Sequence, residues 1–189
     1  MKLSKILAPL LALCLFASTA CASTFIDAHG NEIQLDDSLE AYAAVTLVGA
    51  DDAARQGETN LGDLWTDALR WFAVSGEINA AFDEDDVKAG NDHIAVDAEH
   101  VVALWNGGNL RADIAEGKFG AEELAKVLPY PNKVAVVYMT GAQLLEALET
   151  AAQGLPYGEA SAAACASFMQ VSGLRYSVNA DKAFDKGEI

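Results

Sequence analysis

Apolar residues recur at helical spacing in the segment after Thr59: Leu61, Leu64, Trp65, Ala68, Leu69 and Phe72 mark one face. Thr59 or Asn60 can cap this helix, which is expected to run to about Val74. Two further helices follow from the same logic. One spans residues 121–127 and stops before Pro129. The other opens at Thr140-Gly141-Ala142-Gln143, a capping-box pattern, and carries Leu144, Leu145, Leu148 and Ala151. Strand-like patterns lie between them. Val101-Val102-Ala103-Leu104-Trp105 is a short apolar run of the kind a buried strand shows, and residues 133–139 alternate with Val134, Val136 and Tyr138 on one side. Residues 24–26 and 32–35 suggest two short strands joined by a turn at 27–31, residues 42–49 another strand, and residues 168–178 a strand interrupted at Gly173. The acidic stretch 75–92 reads mostly as a solvated connection. Helices and strands alternate, but the order permits parallel and hairpin pairing alike, so the pattern predicts a single mixed α/β domain of the α+β class.

The first residues have a different character. Lys2 and Lys5 precede an almost wholly apolar run from Ile6 to Phe16, and small residues follow to Ala22. This is the layout of a secretory leader, too short for a membrane span of about 20 residues. Ala20-Cys21-Ala22 fits a cleavage site, giving a mature chain from Ser23; acylation at Cys21 competes, but the usual Leu three positions earlier is absent. The expected organisation is a leader at 1–22, a lead-in segment at 23–54 and the domain proper at 55–189, with export to the periplasm or the extracellular space. A membrane enters only if Cys21 is lipidated. The polar end with Lys186, Gly187 and Glu188 resembles a turn into a further strand, so the domain is expected to be cut short at Ile189.

Charge narrows the partners. The net charge is −16, and loss of Lys2 and Lys5 takes it to −18. Such a surface disfavours nucleic-acid backbones and anionic membranes. With only 12 Lys and Arg against 28 acids, any grouping of arginines stands out. Cys165 would be alone after leader removal, and in Ala162-Ala163-Ala164-Cys165-Ala166 it reads as a small buried thiol.

Asn106-Gly107-Gly108-Asn109-Leu110-Arg111 is the most informative stretch. Two glycines after a strand let the backbone turn sharply and approach a ligand closely. Asn106 supplies amide donors and an acceptor, and Arg111 a planar fork suited to carboxylate or phosphate. The hexamer points to a small anionic ligand, though an Arg beyond such a turn also reads as a solvated surface charge.

Ordered motifs now align with one family. Arg55-Gln56-Gly57-Glu58-Thr59-Asn60-Leu61-Gly62-Asp63-Leu64 resembles R-x-G-E-T-N-L-G-N-L of the C-terminal domain of the 5'-nucleotidases, the group that includes UDP-sugar hydrolases. Asn106 to Arg111 with Ala112-Asp113-Ile114 resembles N-G-G-G-I-R-x-D-I, and Val127 to Asn132 resembles V-L-P-F-G-N. Residues 140–149 resemble T-G-A-Q-L-L-E-A-L-E, and residues 168–176 F-L-Q-V-S-G-L-R-Y. The resemblance implies a domain that holds a nucleotide or nucleoside. It implies substrate contacts by Arg55, Asn106, Gly107, Gly108 and Arg111, and a stacking surface for the base at Tyr130, where the family has Phe. From the residues alone, Arg55 also reads as a surface cation near a helix start, Tyr130 as a core aromatic and Asn60 as a cap.

Departures are visible. Asn109 replaces a third Gly, Pro131 replaces a Gly, and the family's later N-x-F-L-x-x-G-G-D-G segment, with its second stacking aromatic, has no counterpart. The family's hydrolysis belongs to a separate metallophosphatase domain using two metal ions. Here Asp27-Ala28-His29 imitates a metal motif without its partners and reads as a turn; His93 and His100, with Asp97 between, match no metal spacing. No catalytic residue, metal ligand or cofactor is therefore expected in this chain; divalent metals belong to a separate catalytic domain or chain. The expected function is nucleotide recognition for an exported 5'-nucleotidase-type hydrolase. An exported binding module without hydrolysis, or a fold that has lost its site, are the alternatives.

Overall fold

The computed structural model describes residues 15–17, 23–26, 32–35, 39–50, 52–82, 84–90, 94–155 and 164–179. Every strand pairing among them is antiparallel, which places the mixed architecture in the α+β class. Strands β2 (Ser23–Ile26) and β3 (Glu32–Leu35) match the two short strands expected there, and they pair in the register Ile26↔Glu32; the intervening residues 27–31, with His29, lie outside the described residues. A second sheet has the order β1 (Leu15–Ala17), β4 (Leu39–Ala43), β6 (Gly117–Phe119). Strand β1 falls within the stretch read as a leader.

The third sheet joins β5 (Ala103–Asn106) to β7 (Met169–Ser172), with Leu104 opposite Val171 and Asn106 opposite Met169. Gly173 ends β7 at φ 88°, a conformation that favours glycine. Between Ala53–Gln56 (α1) and the 3₁₀ turn Glu77–Ala80 runs the longest helix, Asn60–Val74 (α2). Its cap is Thr59, whose hydroxyl accepts from Gly62 N at 3.1 Å. Helix α2 packs across both β5 and β7, and Trp65 meets Trp105 edge-on at 5.2 Å.

A short helix Glu84–Lys88 (α3) interrupts the acidic connection. Helix α4 (Ala121–Val127) matches its sequence prediction, and Glu123 Oε2 accepts from Gly120 N at 2.9 Å, half of a capping box. Helix α5 (Gly141–Ala152) starts with the reciprocal Thr140–Gln143 box. The main core gathers Ala43, Ala54, Leu61, Leu110, Ile114 and Val127, contributed by elements far apart in sequence. Each fully buried Leu or Ile contributes roughly 1.5–3 kcal/mol.

Two expectations need correction. The strand foreseen at 42–49 lies earlier, at β4, and Leu47 forms only an isolated bridge to Ile114. Residues 133–139 form no strand: no backbone hydrogen bond joins them to another described residue, and every residue from 129 to 143 is exposed. A strand exists only when a neighbour completes its ladder, and alternation alone cannot supply one.

Candidate functional site

Strand β5 runs directly into the 3₁₀ turn Gly107–Asn109. Gly107 N donates to Phe168 O at 2.7 Å and Leu110 N to Gly107 O at 3.0 Å, while the fully buried Leu110 side chain anchors the exit. Neither turn glycine has a positive φ, so handedness is not the reason for them. Proximity is. A Cβ on Gly107 would lie 1.7 Å from Ala54 O, and one on Gly108 would lie 2.7 Å from both the carbonyl oxygen and Cβ of Ala166. The close approach read from sequence is thus made by the chain's own backbone.

Asn106 and Asn109 brace this turn. Asn106 Nδ2 donates to Ala166 O at 3.1 Å, and Asn106 Oδ1 accepts from Asn109 Nδ2 at 2.8 Å. Asn109, standing where the related motif has glycine, is therefore a strut that fixes the neighbouring amide. Arg111 is exposed, and its Nη1 donates to Gly108 O at 2.9 Å. No other guanidinium hydrogen bond to a described side chain or backbone atom is made. Its backbone N donates to Val127 O at 2.9 Å, which ties the turn to the end of α4 and so to Leu128, Pro129 and Tyr130. The Tyr130 ring is 55% exposed, so it is not a core aromatic.

Arg55 sits half-buried on α1, one residue from the Ala54 carbonyl that abuts Gly107. Backbone contacts therefore bring Arg55, Gly107, Gly108, Asn106 and Arg111 into one neighbourhood, with Tyr130 three residues from the Val127 contact. Asn60 is set apart. Its Oδ1 accepts from Val48 N at 2.7 Å and its Nδ2 donates to Thr46 O at 3.0 Å, so it anchors a loop while Thr59 does the capping.

Two residues that sequence reasoning left without a role shape the neighbourhood. Asp113 Oδ1 accepts from Gly49 N and Ala50 N, both at 2.8 Å. Gln170, 1% exposed, grips the segment that carries Arg55: its Nε2 donates to Ala54 O at 2.9 Å and to Gly57 O at 2.8 Å, and its Oε1 accepts from Thr59 N at 3.0 Å. The available signal was a lone amide at an inward position of β7, between Met169 and Val171.

The electrostatic surroundings are mixed. Burial, reinforced by the Glu58 and Asp67 carboxylates, raises Asp63 above the usual carboxylate range. Burial and the Glu58 charge push the Tyr176 phenol up to about 12, and its hydroxyl donates to Met169 O at 2.7 Å. His100 Nδ1 lies 2.5 Å from Asp97 Oδ2 on the surface. Among the described residues no group of three His, Cys, Asp or Glu side chains is placed to hold a metal ion. No helix among the described residues is long and apolar enough to cross a membrane.

This mixed domain of helices and small antiparallel sheets is of a class with known members. The sequence model of the 5'-nucleotidase C-terminal domain matches residues 19–187. The chain belongs to the 5'-nucleotidase C-terminal-domain family. The trifunctional nucleotide phosphoesterase protein YfkN of Bacillus subtilis (strain 168) is 31% identical over 153 residues, covering 80% of this chain and 9% of that protein. The crystal structure of a 5'-nucleotidase precursor from Thermus thermophilus superposes with a TM-score of 0.56 at 31% identity, covering 76% of this chain and 23% of its own. The chain therefore spans a small part of each relative.

Proposed function

We propose that this chain is the nucleotide-recognition domain of an exported 5'-nucleotidase-type phosphoester hydrolase, whose metal-dependent catalytic domain lies outside these residues. The observation that carries the reading is the direct backbone contact between the Arg55 segment and the Gly107 turn, with Arg111 bonded through its own N–H to the end of α4. In this arrangement the two guanidiniums take the phosphate oxygens, the fixed Asn106 amide orients the ligand, and the exposed Tyr130 face stacks on the base. In a chain carrying 12 basic against 28 acidic residues, two arginines held this way favour an anionic ligand. The segment 1–22 would serve as the export leader, with a membrane involved only through a lipidated Cys21.

Calorimetry on the full chain tests this. A nucleoside monophosphate is expected to bind, and Arg111→Ala to weaken it about tenfold, the usual cost of losing a charged hydrogen bond. A folded chain that takes up neither nucleotide nor nucleoside would refute the reading. Phosphate release by this chain with added divalent metal would place catalysis within it. The second reading, an exported module that captures nucleotides without hydrolysis, rests on the same contacts. Failure of any metallophosphatase domain, in the same gene product or a neighbouring one, to hydrolyse the captured nucleotide would favour it.

A further inference from the structure

We infer that Gln170 is a positioning residue for phosphate recognition: it sets where Arg55 stands relative to the Gly107 turn. The inference rests on the nucleotide reading above. Gln170 enters from β7, more than a hundred positions from the segment it grips, and is almost wholly buried. Its amide orientation is fixed by its partners. Ala54 O and Gly57 O can only accept, and Thr59 N–H can only donate, so Nε2 must face the first two and Oε1 the third.

These three bonds flank Arg55 on both sides in sequence. The Ala54 carbonyl is also the atom against which Gly107 packs without room for a methyl group. One oxygen is thus bonded by Gln170 and abutted by the turn that carries Asn106 and leads to Arg111. Gly62 completes the recess, since a Cβ there would lie 2.1 Å from Gln170 Oε1. A side chain buried this way and bonded through both ends of its amide is held rigidly. The position of the Arg55 backbone follows from it.

The test compares two ligands on the full chain, a nucleoside monophosphate and the matching nucleoside. Gln170→Met keeps the volume and removes the three bonds. It is expected to weaken the monophosphate about tenfold while moving the nucleoside less than about twofold, because only the phosphate meets Arg55. In an Arg55→Ala background the same substitution is expected to add little, the non-additivity of two residues acting through one contact. Should Gln170→Met not fold, Gly62→Ala serves instead: its methyl displaces the Gln170 amide while favouring the helix, and the same selective loss is expected. Equal weakening of both ligands, no weakening of either, or a full effect surviving in Arg55→Ala overturns the positioning role alone. If the unsubstituted chain binds neither ligand, the nucleotide reading fails and takes this inference with it.

Discussion

Strand β5 and the run 133–139 have comparable apolar content and opposite surroundings. Ala103, Leu104 and Trp105 lie between the ladder of β7 and the face of α2, and Trp105 meets Trp65. Val134, Val136, Val137, Tyr138 and Met139 are all exposed, Tyr138 by 78%. The difference is in the neighbours. For β5 the chain supplies a hydrogen-bonding partner on one side and a helix across one face. It then closes the exit with two glycines that admit Ala54 and Ala166 at distances no side chain would allow. Nothing equivalent meets 133–139 among the described residues. Stability in this molecule is therefore concentrated where distant segments interlock, and a site built beside β5 inherits a rigid base.

Substitutions can break this contrast. The largest effect is expected at Gly107→Ala, where the new methyl would sit 1.7 Å from a backbone oxygen that is itself held by Gln170. The backbone must separate, at a cost of about 3 kcal/mol, the upper end for overpacking. The shift of a urea midpoint at constant slope measures it. Thr59→Ala removes the cap of α2 and is expected to cost about 1 kcal/mol in the same experiment. The smallest effect is expected at Tyr138→Ser, within about 0.5 kcal/mol, as for surface positions generally. A loss as large as that of Gly107→Ala would erase the contrast and show that the 133–139 face is buried in solution.

The three longer helices were legible from the chain because their signals are local. Thr59 and the Thr140–Gln143 pair announce their own turns, Pro129 closes α4, and the apolar stripes have the right period. The hairpin of β2 and β3 was legible for a similar reason, two short apolar runs close in sequence. Strand β5 begins two residues later than its apolar run, because Val101 and Val102 look like strand but have no ladder partner in β7. The run 133–139 misled for the same cause, on a larger scale.

At the candidate site, the family motifs pointed to Arg55, Asn106, Arg111 and Tyr130, and the fold shows how the backbone segments carrying the first three adjoin. Gln170 and Asp113 stand inside the family motifs, but their part as organisers was not legible there. Their partners lie 111 to 116 and 63 to 64 positions away, and no periodicity or local motif reports such distances. The reason for Gly107 and Gly108 was also hidden. A sequence shows that a side chain is missing, and only the fold shows what stands in its place.

The Ala54 carbonyl has a consequence for how this domain can diversify. Positions 54, 62, 107 and 170 form a chain of contacts: Gly107 packs against that oxygen, Gln170 donates to it, and Gly62 leaves room for the Gln170 amide, so enlargement at 62 or 107 requires a neighbour to give way. Lineages should inherit the quartet as a block, with a bulkier residue at 62 accompanied by a shorter one at 170. Arg111 and Tyr130 lie outside that knot; on the nucleotide reading proposed above, they are the positions through which ligand preference can drift without dismantling the scaffold.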